Sequence, residues 1–572
     1  MAEPVPGASE GTLRLLVVGA GAKALFALEE LAARLHAHPG HGTRPRLEIT
    51  VIDPGEHPGT GAAYHPAQPR YLRLNVDSAI LDAPPVGDVP AFSEWARDIP
   101  ADLGQEPYPP RALVGDYLRR RWEGMCEALA PSVHLRHHRS RALAVRREGA
   151  QWRLEVEPVD GGARQLLGPA HEVLLATGHA GGHDGALGPS WTSALPLIPT
   201  VLPTDSQLSP AQVPPGARVA LRGGALTFID AALALTLGRG ARFSPDPAGG
   251  PGLVHHRSPD EPAVLLPTTR HGLLLDAKPR PGTPLPVGAE RTLAEGARRL
   301  DEAGPLTPAQ VRELLVETAA AMLAGGRAPG RALQEAVAGT LADGAEPDLP
   351  RGPGRAEQAL RRSVAVAEGS RAPGPAWALG RTWALLYPRF TVALHDSDVG
   401  PEDWSRQLAA QQTLERFAFG PPLEMAQMLL AMLDSGALDL AWVDAGVALR
   451  VDGVHGLPAG ALGPDVVIDA VNAPPGLRGI TDPLAVQLRG SGLVRLRPGR
   501  RGATVAADGT ALTADGPRAD GLTLLGRATE DHVIGHDTLN RHLHGETARW
   551  AERVARRASQ ATARPHDLEE IA

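Results

Sequence analysis

The chain has 572 residues, 43% of them apolar, with 57 Lys and Arg against 65 Asp and Glu and a net charge of −8. That length predicts roughly two to four domains, and the acidic balance argues against a general nucleic-acid binder. The single cysteine, Cys126, excludes an internal disulfide and a cysteine-based metal cluster. No apolar run approaches the ~20 residues needed to span a bilayer, and Met1 to Gly11 lacks the basic start and apolar core of a signal peptide. A cytoplasmic protein without membrane partners is expected.

The first element is an apolar run, Leu13 to Val18, predicted to be a buried strand. Gly19-Ala20-Gly21-Ala22-Lys23-Ala24 follows, then a helical pattern through Leu25, Leu28, Leu31 and Leu35, then a second strand, Leu47 to Ile52, closed by Asp53. This is the order of a dinucleotide-binding unit. Gly19 permits the tight turn, Gly21 lets the backbone approach a pyrophosphate, and small Ala24 lets helix pack on strand. The helix N-terminus attracts the phosphate charge, and the Asp53 carboxylate can accept from a ribose. Asp53 stands 32 positions past Gly21, against a usual spacing of about 20. His36 to Arg46 is therefore read as an inserted loop.

Pro54 to Tyr64 is a glycine-rich loop leaving the C-terminal end of the second strand, where ligands of α/β sheets bind. Tyr71 to Val76 alternates weakly and is expected as a short strand. Tyr108-Pro109-Pro110-Arg111 opens a helix; Arg111 is a candidate phosphate contact or a solvated helix-start residue. Val133 to Glu157 reads as an antiparallel excursion. Glu172 to Ala176, ending in Thr177-Gly178, reads as a buried strand crossing back past the nucleotide.

Ala217 to Arg222, then Gly223-Gly224-Ala225, opens a second, weaker unit of the same kind, with Ala225 where a second glycine is expected. Arg239, Arg242 and Arg257 are candidates for the 2′-phosphate of NADP. The loop Pro267 to Pro279 offers Arg270 and Lys278 as anion contacts. From Glu290 to about Leu440 the texture is helical, with a capping box at Thr307-Pro308-Ala309-Gln310. Strands return at Ala441 to Val451, Val466 to Asn472 and Gly521 to Gly526, and are expected to rejoin the first sheet. No zinc-ligand spacing appears, so no metal is expected. Lysine and asparagine are rare: Lys23, Lys278, Asn75, Asn472 and Asn540. A lysine kept where arginine dominates can act as a compact point charge or a titratable amine.

The segments VVGAGAKAL, VIDPGEHPGTGAAY, LRLNVDS, YPPRALVGDYL, VLLATGHAGG, ALRGGALTFIDAALALT, TTRHG and LLGRATEDHVIGHDTLNRH together resemble FAD-NAD(P)-binding flavoproteins related to flavin N-monooxygenases. The members that look nearest are bacterial enzymes oxidising L-aspartate to nitrosuccinate in natural-product pathways.

The resemblance implies an α/β protein. A Rossmann-type FAD domain would span 1–205, a smaller NAD(P)-binding-like unit 206–285, a helical substrate-covering insertion 286–440, and strands and a helix completing the FAD domain 441–572. It implies FAD on Gly19, Gly21, Lys23, Ala24, Asp53, Arg111, Thr177, Gly178 and Gly526, and NADPH over Gly223 and Gly224. It implies O2 as co-substrate and a small amino acid as substrate. The amino acid would be held by Arg270 first and Lys278 second, with Asn75 at the site of oxygen transfer. Two other readings stand beside it: an FAD-dependent NAD(P)H oxidoreductase without oxygenation, and a non-catalytic flavin-binding regulatory protein.

Overall fold

A computed structural model describes residues 12–37, 47–104, 106–247, 249–250, 252–536 and 538–562. The segment preceding Thr12 and most of the expected loop His36 to Arg46 lie outside the described residues. The chain divides into two compact units: Met1–Ala67, Ser78–Asp184 and Ala473–Ala572 form one, Gln68–Asp77 and Gly185–Asn472 the other. Among the described residues no helix is long and apolar enough to cross a membrane.

The first unit is built on a six-stranded sheet in the order Thr510–Leu512, Arg518–Leu524, Glu172–Leu175, Leu13–Val18, Leu47–Ile52, Val133–His138. All its pairings are parallel except the one between the first two strands. The central strands read as almost unbroken apolar runs because both faces are covered: Leu16, Val18, Val173, Leu175, Leu522 and Leu524 share one core with Trp152. A second sheet, antiparallel, joins Ser140–Glu148, Gln151–Pro158 and Gln165–Ala170.

The second unit has a four-stranded parallel sheet in the order Val264–Thr268, Arg218–Arg222, Val466–Asp469, Leu197–Ile198. Its helices run from Ala289–Glu302 to Leu423–Asp434 through the expected helical region. The capping box forms: Thr307 accepts from the Gln310 N–H while the Gln310 side chain accepts from the Thr307 N–H.

Several expectations are corrected. Val133–His138 is a parallel edge strand of the first sheet, not part of the antiparallel excursion. Tyr71 to Val76 forms no strand; Leu72 and Leu74 are buried, which yields a period of two without a ladder. Ala441–Asp444 is a helical turn, and only Ala448–Arg450 is extended. Val466–Asp469 joins the second sheet rather than the first, so 441–472 does not complete the first domain. A short apolar strand carries no mark of which sheet it enters. Arg518–Leu524 does rejoin the first sheet.

Candidate functional sites: two glycine turns and a cationic pocket

In the first unit, Val18 stands opposite both Ile52 and Leu175, so the chain leaves the strand between two neighbours. Gly19 makes that exit at φ +92°. Its N–H donates to the Ile52 carbonyl at 2.8 Å, and a Cβ there would overlap the Ala176 carbonyl oxygen and stand 3.3 Å from the Thr177 Cα. The helix Ala22–Ala37 then begins, with leading N–H groups that lack intrahelical acceptors. Ala24 is fully buried, as close helix packing requires.

Gly21 faces Gly61 of the following loop. An ideal Cβ on Gly21 would lie 3.7 Å from the Gly61 Cα, and one on Gly61 would lie 3.5 Å from the Gly21 Cα. A side chain on either would occupy the space a pyrophosphate needs at the helix N-terminus, so the turn fits such a group. Three contacts fix the loop. The Gly59 N–H donates to the Ala20 carbonyl at 2.6 Å, and Thr60 Oγ1 donates to the His57 carbonyl at 2.8 Å. Gly115 of the helix Arg111–Leu129 leaves room for the Tyr64 carbonyl. Gly61 was not singled out by spacing; the glycine density of the loop was its signal.

Asp53 has a more structural position than a ribose contact alone. Its two carboxylate oxygens accept from the Ala20 N–H at 2.8 Å and the Gly55 N–H at 2.7 Å, tying the second strand to the glycine turn. Gly526 follows the strand Arg518–Leu524 at φ +76°, and Lys23 lies against it: a Cβ on Gly526 would sit 3.2 Å from the Lys23 Cγ. Thr177 and Gly178 are exposed just beyond the crossing strand, and Arg111 opens its helix half-buried. The structure thus gathers Gly19, Gly21, Lys23, Asp53, Thr177 and Gly526 at the C-terminal edge of one sheet; Arg111 opens the helix Arg111–Leu129.

The second unit repeats this construction. Arg222 stands opposite both Thr268 and Asp469. Gly223 leaves the strand at φ +110°, its N–H donates to the Thr268 carbonyl at 2.9 Å, and a Cβ would meet the Ala470 carbonyl oxygen at 3.1 Å. Gly224 has no room for a side chain beside Thr269. Ala225 is the N-cap of the helix Leu226–Leu235. The registers make Thr269 the counterpart of Asp53, with exposed Arg270 one residue beyond it. Two of the arginines considered for a 2′-phosphate are already committed. Arg239 donates to the carbonyls of Asp260, Leu208 and Val213, and Arg257 to those of Pro262 and Ala263.

Lys278 lies on an extended strap. The Asp276 N–H donates to the Arg416 carbonyl at 3.1 Å and the Lys278 N–H to the Pro421 carbonyl at 2.9 Å. Gly420 makes the close approach possible, because a Cβ there would overlap the Asp276 carbonyl. The Lys278 ammonium donates to the main-chain carbonyl of Asn75 and sits 5.8 Å from the centre of the Phe419 ring. Phe419 packs edge-on against Tyr387 at 5.3 Å. Burial, with the guanidinium of Arg381 nearby, pulls Lys278 down to about 7. Asn75 and Lys278 therefore meet, but through the Asn75 backbone. Arg381 was missed from sequence; its signal was an arginine set in the apolar, aromatic run around Trp377 and Trp383. Arg270 lies close enough to His271 for its charge, after burial, to push that imidazole down.

A cleft of about 830 Å³ opens among the helices Pro308–Leu323, Arg331–Asp343 and Pro401–Ala418 and reaches His271 and Arg416. Its lining mixes Arg312, Arg406 and Arg416 with Glu313, Glu317, Glu335 and Asp343, so charge does not select a ligand for it.

Residues 16–180 match the family model described as FAD-NAD(P)-binding, and this segment is an FAD/NAD(P)-binding domain. The chain is 30% identical over 296 residues to an L-aspartate N-monooxygenase (nitrosuccinate-forming) of Streptomyces cremeus, covering 45% of this chain and 42% of that protein. It is 30% identical over 290 residues to a nitrosuccinic acid synthase of Aspergillus oryzae, covering 48% and 43%. It is 28% identical over 342 residues to an L-aspartate N-monooxygenase (nitrosuccinate-forming) of Streptomyces davaonensis, covering 52% and 48%. The chain thus spans less than half the length of the curated relatives it matches.

Proposed function

We propose, with residues 16–180 as an FAD/NAD(P)-binding domain for premise, that the protein is a flavin-dependent N-monooxygenase. It would use NADPH and O2 to oxidise the amine of a small amino acid, L-aspartate being the first candidate. The observation that carries this reading is the duplicated turn: Gly19 and Gly223 leave their strands in the same register, at positive φ, beneath the carbonyls of Ala176 and Ala470. Two such turns suit two dinucleotides. The similarity to L-aspartate N-monooxygenases supports the choice of reaction and substrate.

The bound flavin would supply the redox and oxygen-activating chemistry. The chain's own residues orient and exclude. Gly21 and Gly61 leave the gap for the FAD pyrophosphate at the start of the helix Ala22–Ala37, and Asp53 holds that turn in shape while keeping lone pairs for a ribose. Gly223 and Gly224 offer the corresponding turn to NADPH. Arg270, next to the counterpart of Asp53, is placed for the 2′-phosphate, which arginine binds as a fork. We assign it there rather than to the substrate carboxylate. Lys278, with Asn75 alongside, is the cationic contact left for the substrate.

The test is NADPH oxidation by the FAD-loaded protein across a panel of amino acids, with oxygen uptake and mass spectrometry of the products. Aspartate is expected to stimulate both and to yield an N-oxidised product. NADPH oxidation without an oxidised amine would favour the plain oxidoreductase, and no oxidation with any amino acid would favour the non-catalytic reading.

Arg270→Ala gives a sharper check on the nucleotide assignment. Because Arg270 is exposed, folding should be unchanged. Affinity for 2′,5′-ADP should fall by more than about tenfold, the worth of a charge-assisted pair, while 5′-ADP binds as before. Equal loss for both ligands, or for neither, would remove Arg270 from the 2′-phosphate.

A further inference from the structure

Beyond the strand Arg518–Leu524 the chain buries a run of polar side chains beside the first glycine turn: Thr529, Glu530, Asp531, His532 and His536. A connecting segment ordinarily runs over the surface, so a buried polar one needs internal partners. His532 donates from Nε2 to the Val505 carbonyl at 2.8 Å. Glu530 accepts from the Gly535 N–H at 3.1 Å, and Asp531 accepts from the Arg501 guanidinium at 2.6 Å. His536 turns back to the start of the segment, where its Nδ1 accepts from the Gly526 N–H at 3.2 Å. Thr529 Oγ1 lies 2.8 Å from that nitrogen and donates to the Gly526 carbonyl at 2.9 Å. Both main-chain polar groups of Gly526 are thus held. A ring nitrogen that accepts carries no proton, so the proton of the neutral imidazole stands on Nε2.

The place of Gly526 follows from the sheet. Its strand runs parallel to Glu172–Leu175, which runs parallel to Leu13–Val18, so Gly526 and Gly19 leave at the same edge. In the strand order, Leu47–Ile52 with Asp53 flanks Leu13–Val18 on one side, and Glu172–Leu175 then Arg518–Leu524 lie on the other. Two strand spacings, about 10 Å, separate the strand before Gly526 from the one before Gly19. A dinucleotide laid along this edge, with a ribose at Asp53 and its pyrophosphate at Gly19 to Gly21, runs its second nucleotide toward Gly526. For FAD that is the half carrying the flavin.

We propose that His536 is a positioning residue for the flavin half of FAD, acting through Gly526. By holding the Gly526 N–H it keeps this turn at φ +76° against Lys23, and so shapes one end of the site while leaving the ADP half alone. This rests on the reading of the first glycine turn as the FAD site, and it adds a residue and the half of the cofactor that the residue serves.

The test titrates FAD into the full chain by flavin fluorescence, with ADP as a competitor that reports on the ADP half. His536→Leu removes the acceptor. His536→Asn sets a carbonyl oxygen where Nδ1 stands, and His536→Gln carries its amide one carbon farther, away from the Gly526 N–H. The Leu and Gln variants are expected to bind FAD about tenfold more weakly, the effect of leaving a buried donor unmet. They should also shift the visible absorption of the bound flavin, with ADP competing as in the parent. The Asn variant is expected to keep the parent's affinity and spectrum. Circular dichroism checks that each variant is folded, and if Leu does not fold, the contrast between Asn and Gln decides. The inference is overturned if FAD binds the Leu and Gln variants as it binds the parent, if FAD and ADP weaken together, or if Asn behaves like Gln. It fails separately from the proposed function: a parent chain that binds no FAD would sink the flavin reading, whereas a parent that binds FAD no more tightly than His536→Gln would sink the positioning alone.

Discussion

Gly19→Ala should destabilise the first unit by roughly 2–4 kcal/mol and abolish flavin binding. Two costs add. The backbone sits at φ +92°, where a residue with a Cβ is strained. The new methyl would also overlap the Ala176 carbonyl oxygen, on a residue whose own N–H ties it to the Val18 carbonyl at 2.8 Å. Relief therefore requires parting the strand from its neighbour at the edge where the pyrophosphate would bind. Gly178→Ala is the control. Its φ is +67°, but nothing lies within 4 Å of the added Cβ, so the backbone term alone remains, about 1 kcal/mol. Denaturant unfolding of both variants and flavin retention on gel filtration would check this. If the two substitutions cost the same, steric overlap at Gly19 is not what the glycine avoids.

Glu172→Ala is the second large effect, expected at about 3–5 kcal/mol, the cost of breaking a buried ion pair from one side. The Glu172 side chain is fully buried at the head of the crossing strand. It accepts from Arg553 at 2.8 and 2.9 Å, from Arg557 at 2.9 Å, from Thr523 at 2.8 Å and from the Trp550 indole at 3.3 Å. Three of these partners lie on the helix Glu546–Thr562, so one carboxylate fastens the end of the chain to the middle of its first sheet. Removing it leaves Arg557 without that partner and Arg553 with Asp508, at 2.8 Å, as its remaining ion pair. Glu172→Gln keeps the shape and some of the bonds, and should cost about 1–2 kcal/mol less. Hydrogen exchange should show Glu546–Thr562 opening first in Glu172→Ala. Unchanged protection of that helix would mean the cluster is not its fastening.

Local sequence was enough for the features whose physics is local. The first glycine turn was legible because strand, glycine, helix and acid follow one another in order, and each does its work within a few residues of the next. The capping box at Thr307 and the helical texture from Glu290 were legible for the same reason. Asp53 was found by position, although its bonds to Ala20 and Gly55 make it a clamp as well as a candidate ribose contact. Lys278 stood out because lysine is rare in this chain.

What the tertiary structure decided depends on partners far apart in sequence. Val466–Asp469 looks like any buried strand, and only its pairing with Arg218–Arg222 assigns it to the second sheet. Arg270 takes its meaning from a register that makes Thr269 the counterpart of Asp53. Lys278 differs from a surface lysine because the Asn75 carbonyl and the Phe419 ring lie against its ammonium. A strand's periodicity says that it is buried, and a side chain's identity says what charge it can carry. Desolvation and pairing set what that charge does, and both are properties of the neighbours that folding brings.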